Sequence, residues 1–195
     1  KPIKHIVNVH DKCGTEIEFL SSNQWFVNIL ENKKKFIDAG KNINWYPKTM
    51  LTRYINWVNG VQWDWCISRQ RHFGVPFPVW YCEKCNEVIL ANEDELPLDP
   101  LNVKKKCKKC GNYSTSEKDV MDTWATSSLT PQIILNWTER KNNILKMYPM
   151  DLRPNAHEII RTWDFYTIIK GLYHHNRLPW KNVMISGFVT LEGEK

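Results

Sequence analysis

The feature that most constrains this chain is a pair of Cys-x-x-Cys motifs, separated by residues 86–106. Doubled spacing of this kind is typical of a structural zinc site, in which four thiolates surround Zn²⁺ as a tetrahedron and leave no position open for a substrate. Asn86 and Gly111 directly follow the two pairs, and both residue types tolerate the positive φ of a tight turn. We therefore predict that one structural Zn²⁺ is bound by Cys82, Cys85, Cys107 and Cys110.

Lysines surround the second cysteine pair and are expected to offset the negative charge of a four-thiolate site. They are Lys104, Lys105, Lys106, Lys108 and Lys109. The alternative to zinc is two disulfide bonds, which are typical of secreted proteins. The sequence contains no export segment, which favours a reducing compartment, and we expect a cytoplasmic protein.

The composition indicates a folded protein with an anionic partner. Of the 195 residues, 42% are hydrophobic and ten are tryptophan, whereas disordered chains are poor in both classes. No apolar run approaches the length of a membrane span, so no membrane association is expected. The net charge of +6 suits a nucleic acid, although a lysine run is as often a solvated surface.

The first part of the chain predicts a hairpin and two helices. The hairpin covers His10 to Phe19, with its turn at Lys12 to Gly14; His10 and Cys13 also resemble half of a metal site. Ser22 and Asn23 are expected to cap a helix over about 24–39, and Pro47 to begin a second helix that ends at Gly60.

The second part of the chain predicts the elements of an α/β core. A β-rich strand over residues 79–81 leads into Cys82. Asn155 is expected to cap a long amphipathic helix that reaches about His174, and residues 183–189 form a short apolar strand that contains Gly187. A glycine inside a buried strand often marks the close approach of a ligand. A helix followed by a buried strand indicates an α/β fold.

Four segments resemble the class I aminoacyl-tRNA synthetases that are specific for branched aliphatic amino acids, and they follow one another in that family's order. Residues 63–82 contain WCISRQRHFGVPFP, 119–129 read DVMDTWATSSL, 151–163 read DLRPNAHEIIRTW and 183–189 read VMISGFV. The second and third segments are similar to the valyl enzymes of the archaeal-like subtype. The isoleucyl enzymes share the first segment and form the alternative; a free zinc ribbon that binds nucleic acid through its lysines is another.

The resemblance implies the second half of a Rossmann-like class I synthetase catalytic domain, an α/β fold with an inserted zinc knuckle. Residues 1–20 would be the tail of the editing-insert region, and 21–81 the catalytic-core helices with the amino-acid-pocket segment. Residues 82–118 would form the zinc knuckle, and 119–195 the rest of the Rossmann-like core up to the signature loop. We expect the chain to be a piece of a longer enzyme and to be inactive alone.

The resemblance also implies a set of site residues. Rigid aromatic walls suit the small branched side chain of valine, and they would come from Trp65, Trp124 and Trp163, although buried tryptophan is often plain core. ATP would be bound by His157, Glu158, Ser186, Gly187 and Phe188. Glu158 stands where the family has Asp, and its alternative role is to complement a helix dipole. Arg69 and Arg71 would contact tRNA, unless they form surface ion pairs.

The reaction implied by the resemblance is attack of the valine carboxylate on the α-phosphate of ATP, followed by transfer of valine to tRNA(Val). Lys195 would be the first residue of the mobile signature loop. Its ammonium group, together with the Mg²⁺ that accompanies ATP, would stabilise the charge that develops on the phosphates. The expected partners are therefore valine, ATP and tRNA(Val).

Overall fold

The computed structural model describes residues 4–191, apart from the side chains of residues 141 and 145. The helices are α1 (Lys33–Lys41), α2 (Met50–Gly60), α3 (Thr123–Ser127), α4 (Thr130–Ile134), α5 (Lys141–Met147) and α6 (Trp163–His175). The strands are β1 (Phe26–Val27), β2 (Asn44–Tyr46), β3 (Trp65–Cys66), β4 (Ser68–Arg69), β5 (Val79–Cys82), β6 (Val88–Leu90), β7 (Ser114–Ser116), β8 (Val120–Met121), β9 (Met150–Asn155) and β10 (Trp180–Ile185). Within residues 4–191, no helix has the length and apolarity that crossing a membrane would require.

A three-stranded parallel sheet forms the centre of the fold, in the order β2-β10-β9. Val183 of the middle strand lies opposite Trp45 on one side and Arg153 on the other, and its own side chain is fully buried. Parallel neighbours need a crossover connection, and α6 provides it between β9 and β10. This arrangement confirms the predicted α/β class.

Aromatic side chains hold the helices against this sheet. Phe36 of α1, Tyr54 of α2 and Phe165 of α6 are all buried, and their rings meet edge to face with centroids 6.1 Å apart for the two pairs that include Phe165. The Tyr54 hydroxyl donates a 3.0 Å hydrogen bond to the carbonyl of Phe36. A buried tyrosine needs such an acceptor, and this bond fixes α2 against α1.

The cysteine-containing insertion forms a small separate sheet, in the order β6-β5-β7 and antiparallel throughout. Trp80 of β5 is fully buried, and its indole N–H donates to the carbonyl of Val103 at 2.8 Å. Where the insertion leaves the core, β4 and β8 pair with Ser68 opposite Met121. The two ends of the insertion therefore lie side by side, as expected of an inserted knuckle.

The predicted helix over 24–39 was wrong in its first half. Residues 26–27 form strand β1, which pairs with β3, and the α-helix begins only at Lys33. The backbone of Trp25 explains the difference, because its N–H donates to Ser68 Oγ at 2.9 Å and its carbonyl accepts from the N–H of Ile67 at 2.8 Å. These tertiary bonds hold the segment extended, which local capping signals do not reveal.

The predicted helix start at Asn155 was also wrong. Asn155 is the last residue of β9, a 3-10 turn follows over His157–Arg161, and α6 begins at Trp163. The predicted strand over 183–189 is displaced as well: β10 ends at Ile185, so Gly187 follows the strand and does not lie within it. The strand at 79–81 and the end of the second helix at Gly60 are confirmed, but this helix begins at Met50 and not at Pro47.

The predicted hairpin at the start of the chain is present as a short turn. Val9 bridges Glu16, His10 N–H donates to the carbonyl of Thr15 at 2.8 Å, and Gly14 adopts a φ of 69°. Cys13 Sγ lies 3.2 Å from His10 Nδ1. Within the described chain, no further histidine, cysteine or acid joins these two to make a metal-binding group, so the turn alone accounts for them.

Gly40 allows α1 to approach α2 closely, since a methyl group at that position would overlap the ring of Tyr54. We expect Gly40→Ala to lower the free energy of unfolding by about 1–3 kcal/mol, the usual effect of overpacking a core. Urea denaturation measures this change. Gly60→Ala is the matched control, because no atom lies within 4 Å of its added methyl. Equal stability of the two variants would contradict this account of Gly40.

Candidate functional site

The four cysteines come together as predicted. Their Sγ atoms all lie within 4.8 Å of one another. The Sγ atoms of Cys82 and Cys110 are 3.3 Å apart, and those of Cys85 and Cys107 are 3.7 Å apart. Four ligands at the usual Zn–S distance of about 2.3 Å would have sulfurs about 3.8 Å apart. The donor set and its spacing therefore fit one tetrahedral Zn²⁺.

Two matching turns bring the cysteines together. In the first, the carbonyl of Cys82 accepts from the N–H of Asn86 at 3.0 Å; in the second, the carbonyl of Cys107 accepts from the N–H of Gly111 at 2.8 Å. Asn86 and Gly111 have φ values of 54° and 73°. These are the left-handed conformations that Asn and Gly tolerate best. The residues after each pair thus form the turns that the sequence indicated.

Hydrogen bonds prepare one thiol for ionisation. The backbone N–H of Asn112, followed by its side-chain amide and by the Cys82 thiol, lowers the pKa of Cys110 to about 6. A thiolate is the form that binds a metal. Cys82 and Cys107 are buried, whereas Cys110 is half-buried and Cys85 is exposed. The arrangement suits a structural metal, because all four ligands come from the protein.

A cavity of about 430 Å³ lies between the segment after α2 and the start of α6. Trp65 and Arg69 line it together with Tyr166. Trp65 is buried, and its ring stacks on that of Tyr166 with centroids 3.7 Å apart and planes 5° apart. The indole N–H of Trp65 has no hydrogen-bond partner within the described part of the chain. The cavity thus offers a flat apolar wall, and the donor of Trp65 is buried behind it.

An ion pair joins the two segments that flank the knuckle, and one of its partners, Arg69, lines this cavity. Arg69 Nη2 lies 3.5 Å from Asp122 Oδ1, and Arg69 Nη1 donates to the carbonyls of Cys66 and Ser68 at 2.9 and 2.7 Å. Asp122 is 6% exposed, and its other oxygen is buried without a partner among residues 4–191. The guanidinium of Arg69 is therefore engaged largely within the protein, whereas Arg71 is exposed.

The three predicted pocket tryptophans occupy different surroundings. Trp65 lines the cavity, whereas Trp124 is half-buried in α3 against the main core. Trp163 is buried between Arg153, whose guanidinium carbon lies 3.8 Å from the ring centroid, and Trp180, whose centroid is 5.2 Å away. Its indole N–H donates to the carbonyl of Ser127. Trp163 thus has the contacts of a core residue, and a direct substrate contact for it stays a prediction.

The predicted ATP residues gather beyond the carboxyl ends of β9 and β10. His157 and Phe188 stack with ring centroids 4.5 Å apart, and the N–H of Ser186 donates to the carbonyl of Asn155 at 3.0 Å. Glu158 and Gly187 are exposed beside them. In α/β sheets, ligands bind outside the carboxyl ends of the strands. Lys195, the predicted catalytic residue, lies outside the described residues.

Sequence reasoning missed a buried carboxylate behind these residues. Asp164 of α6 is fully buried, and its Oδ2 accepts a 2.9 Å hydrogen bond from the side-chain amide of Asn155. Burial raises the pKa of Asp164 to about 7, although the Asn155 bond and the charge of Arg153 favour the ionised form. The only signal in the sequence is an acid at a position where the helical pattern requires an apolar side chain.

Comparison with known proteins agrees with this geometry. The family model described as class I tRNA synthetases (I, L, M and V) matches residues 6–195. The chain is 51% identical to the valine–tRNA ligase of Thermoplasma volcanium over 99% of its own length, and 47% identical to that of Rickettsia rickettsii over 97%. It spans about a quarter of the length of these curated relatives, 25% and 24% respectively.

Solved structures show the same fold at lower sequence identity. Methionyl-tRNA synthetase of Mycobacterium tuberculosis, in complex with methionyl-adenylate, superposes with a TM-score of 0.60 at 16% identity and covers 96% of this chain and 30% of its own. The LeuRS of Agrobacterium radiobacter K84, in a ternary complex with tRNA and LeuAMS, gives a TM-score of 0.55 at 24% identity over 68% of this chain and 20% of its own.

Loss of one cysteine should release the metal. We expect Cys107→Ser to abolish the binding of one Zn²⁺ per chain and to lower the unfolding midpoint, because three thiolates no longer close the site. Atomic absorption and thermal unfolding with and without a chelator measure both effects. Chelation should erase the difference between the variant and the unchanged protein. Cys13→Ser, in the exposed turn, is the control; a Cys107→Ser variant that keeps its zinc would contradict the assignment.

The buried acid should make stability depend on pH. Since the folded pKa of Asp164 is raised to about 7, the folded chain binds more protons than the unfolded chain between about pH 4 and 7, and stability falls as pH rises through that window. Asp164→Asn keeps an acceptor for Asn155 but does not titrate. We expect the variant to be more stable at pH 8, on the order of 2 kcal/mol.

The gain from Asp164→Asn should shrink as the pH approaches 4, and urea unfolding at several pH values checks this. Asp151→Asn is the control, since Asp151 is 86% exposed and contacts Lys181. A gain that is constant from pH 4 to 8 would rule out the titration of Asp164 as its cause.

Proposed function

Because the chain belongs to the class I tRNA synthetases, the family of the I, L, M and V enzymes, we propose that it serves in the ATP-dependent activation of valine and its ligation to tRNA(Val). One observation carries the choice of valine: half of its residues are identical to those of valine–tRNA ligases over nearly the whole chain. Those relatives are about four times longer, so the chain acts as one segment of a ligase. By itself it is catalytically silent.

The cavity beside Trp65 receives the amino acid. Its flat wall, formed by Trp65 stacked on Tyr166, matches a small branched side chain, which gains affinity from apolar contact and little else. The unpaired oxygen of Asp122 supplies a buried negative charge for the ammonium group, because Arg69 occupies only the other oxygen. Trp124, half-buried in the helix that follows Asp122, completes the valine pocket with Trp163 behind it.

The ATP molecule lies across the carboxyl ends of β9 and β10. The stacked pair of His157 and Phe188 offers a planar surface to the nucleotide, and the exposed carboxylate of Glu158 accepts hydrogen bonds from the ribose hydroxyls. No atom lies within 4 Å of the position that a Cβ would occupy at Gly187. The backbone there is therefore open to the adenine ring of ATP. Ser186 is held beside it by its bond to Asn155.

The chemistry requires no side-chain nucleophile. The valine carboxylate attacks the α-phosphate of ATP in line with the departing pyrophosphate, and the protein contributes alignment and charge stabilisation. Mg²⁺ bound with ATP would supply positive charge at the phosphates. Lys195 adds a further ammonium group there. A hydroxyl of the terminal ribose of tRNA(Val) then attacks the carbonyl carbon of valyl-adenylate, which forms the ester and releases AMP. Arg71, which is exposed, is available to contact a tRNA phosphate, whereas Arg69 is engaged with Asp122.

Zn²⁺ has a structural role in this scheme. Its four cysteines lie in the insertion 82–118, which leaves the core after the cavity segment and returns at β8 directly before Asp122 and Trp124. The metal thus holds in place a loop that connects two parts of the amino-acid site. We propose that the chain is divided into the segments 1–20, 21–81, 82–118 and 119–195. We also propose that the protein lies in the cytoplasm, where thiols remain reduced.

Pyrophosphate exchange tests the choice of substrate. We expect the full-length ligase that contains this segment to exchange pyrophosphate with valine and only weakly with isoleucine. Trp65→Phe should raise the KM for valine and reduce discrimination against isoleucine by about 10-fold, since the pocket then has room for another methylene. Trp137→Phe, in the small core around Leu135, is the control. Strong isoleucine activation by the unchanged enzyme would overturn the proposal.

A further inference from the structure

One strongly basic surface has no role in the scheme above. The knuckle lysine surface, formed by Lys104, Lys105, Lys106, Lys108 and Lys109, lines a groove of about 540 Å³ against strand β6. Two carboxylates, Glu87 and Glu95, line the same groove. Five ammonium groups on six consecutive positions repel one another unless anions lie between them, so it matters which of the lysines already have partners.

Two of the five lysines are used within the protein. Lys105 Nζ lies 2.6 Å from Glu95 and 4.6 Å from the centroid of the buried Trp80 ring. Lys109 Nζ lies 3.0 Å from Glu87, and this carboxylate, followed by the nearby cysteines, raises the pKa of Lys109. These two lysines therefore offset the charges of the knuckle itself.

The other three lysines have no ion pair within the described chain. Among residues 4–191, the side chains of Lys104 and Lys108 form no hydrogen bond or ion pair, and Lys106 Nζ lies 5.1 Å from the centroid of the Tyr113 ring. Tyr113 is itself 62% exposed. Lys108 acts on Glu95 only through space, as one of the smaller causes that lower the pKa of Glu95. Three cations without an ion pair, together with an exposed aromatic ring, form a surface that suits a chain of phosphates and unstacked bases.

The backbone beneath these lysines is held in place. Lys106 forms an antiparallel bridge with Tyr113, the N–H of Cys107 donates to the carbonyl of Asn112 at 2.9 Å, and Ser114 Oγ donates to the carbonyl of Lys105. The metal-binding cysteines lie within the same segment. Because the lysine Cα positions are fixed, binding an extended anion orders only the side chains.

We propose that Lys104, Lys106 and Lys108 of the knuckle lysine surface contact the phosphodiester backbone of the tRNA. This inference rests on the proposed function, which supplies an RNA substrate. A single phosphate would need one convergent site, whereas these lysines extend along the chain in an arrangement that matches a repeating charge. The knuckle is then a second point of tRNA contact besides Arg71, and its contacts are electrostatic and independent of sequence.

The test is tRNA binding by the full-length ligase as a function of salt. Fluorescence anisotropy with a labelled tRNA(Val) transcript gives the slope of log K against log[salt]. The triple variant Lys104→Gln, Lys106→Gln, Lys108→Gln should reduce the magnitude of this slope by about 2–3, close to one for each lysine. Its KM for tRNA should rise, and valine-dependent pyrophosphate exchange, which needs no tRNA, should not change.

A matched control removes the same charge elsewhere. Lys12, Lys34 and Lys146 are exposed and lie outside the knuckle, so their triple Gln variant should keep the slope of the unchanged enzyme. Equal slopes for the two triple variants would overturn the inference. The inference would also be overturned if the Lys104, Lys106 and Lys108 variant lost binding to anionic phospholipid vesicles while its tRNA binding was unaltered. If pyrophosphate exchange with valine is absent from the start, the proposed function fails instead, so the two failures are distinguishable.

Discussion

The pairing of strand β10 with both β2 and β9 is the constraint on which the rest of the structure depends. β10 is the last strand among residues 4–191, yet it lies in the middle of the parallel sheet, so the core is complete only when residues from 44 to 185 have come together. Val183 is fully buried between its neighbours. Because all three strands are parallel, their carboxyl ends share one edge, and the predicted nucleotide residues lie there as a direct consequence.

The ends of the inserted knuckle must also be held together. A two-residue pairing such as β4 with β8 is too short to hold the ends of a long insertion by itself, and the Arg69–Asp122 ion pair beside it is only partly shielded from water. A metal bound by the four cysteines of the insertion would supply local stability that a segment of this size cannot obtain from hydrophobic burial. The segment that contributes Trp65 and Arg69 to the cavity and the helix α3 that carries Trp124 can then stay close together without a large hydrophobic core between them.

How much the sequence reveals depends on the distance over which each feature is determined. The cysteine turns were predictable because Asn86 and Gly111 act on their immediate neighbours, and α2 because Gly60 ends it locally. The extended start of the chain was not, since Trp25 is held by Ser68, 43 positions away. The resemblance to a family named the predicted ATP residues, which the structure brings together beyond the carboxyl ends of β9 and β10, but it gave no indication that Trp163 would be enclosed by Arg153 and Trp180.

The two buried carboxylates show why residue type alone does not assign a role. Asp122 has a guanidinium 3.5 Å from one oxygen, and its other oxygen is buried without a partner among residues 4–191, so its charge is balanced by Arg69. Asp164 has an amide partner and a guanidinium acting only through space, and desolvation raises its pKa to about 7. Its cost in stability at neutral pH accompanies a bond to Asn155 that holds the end of β9, at the edge where the predicted ATP residues lie. Proteins accept such local destabilisation where a site must be positioned.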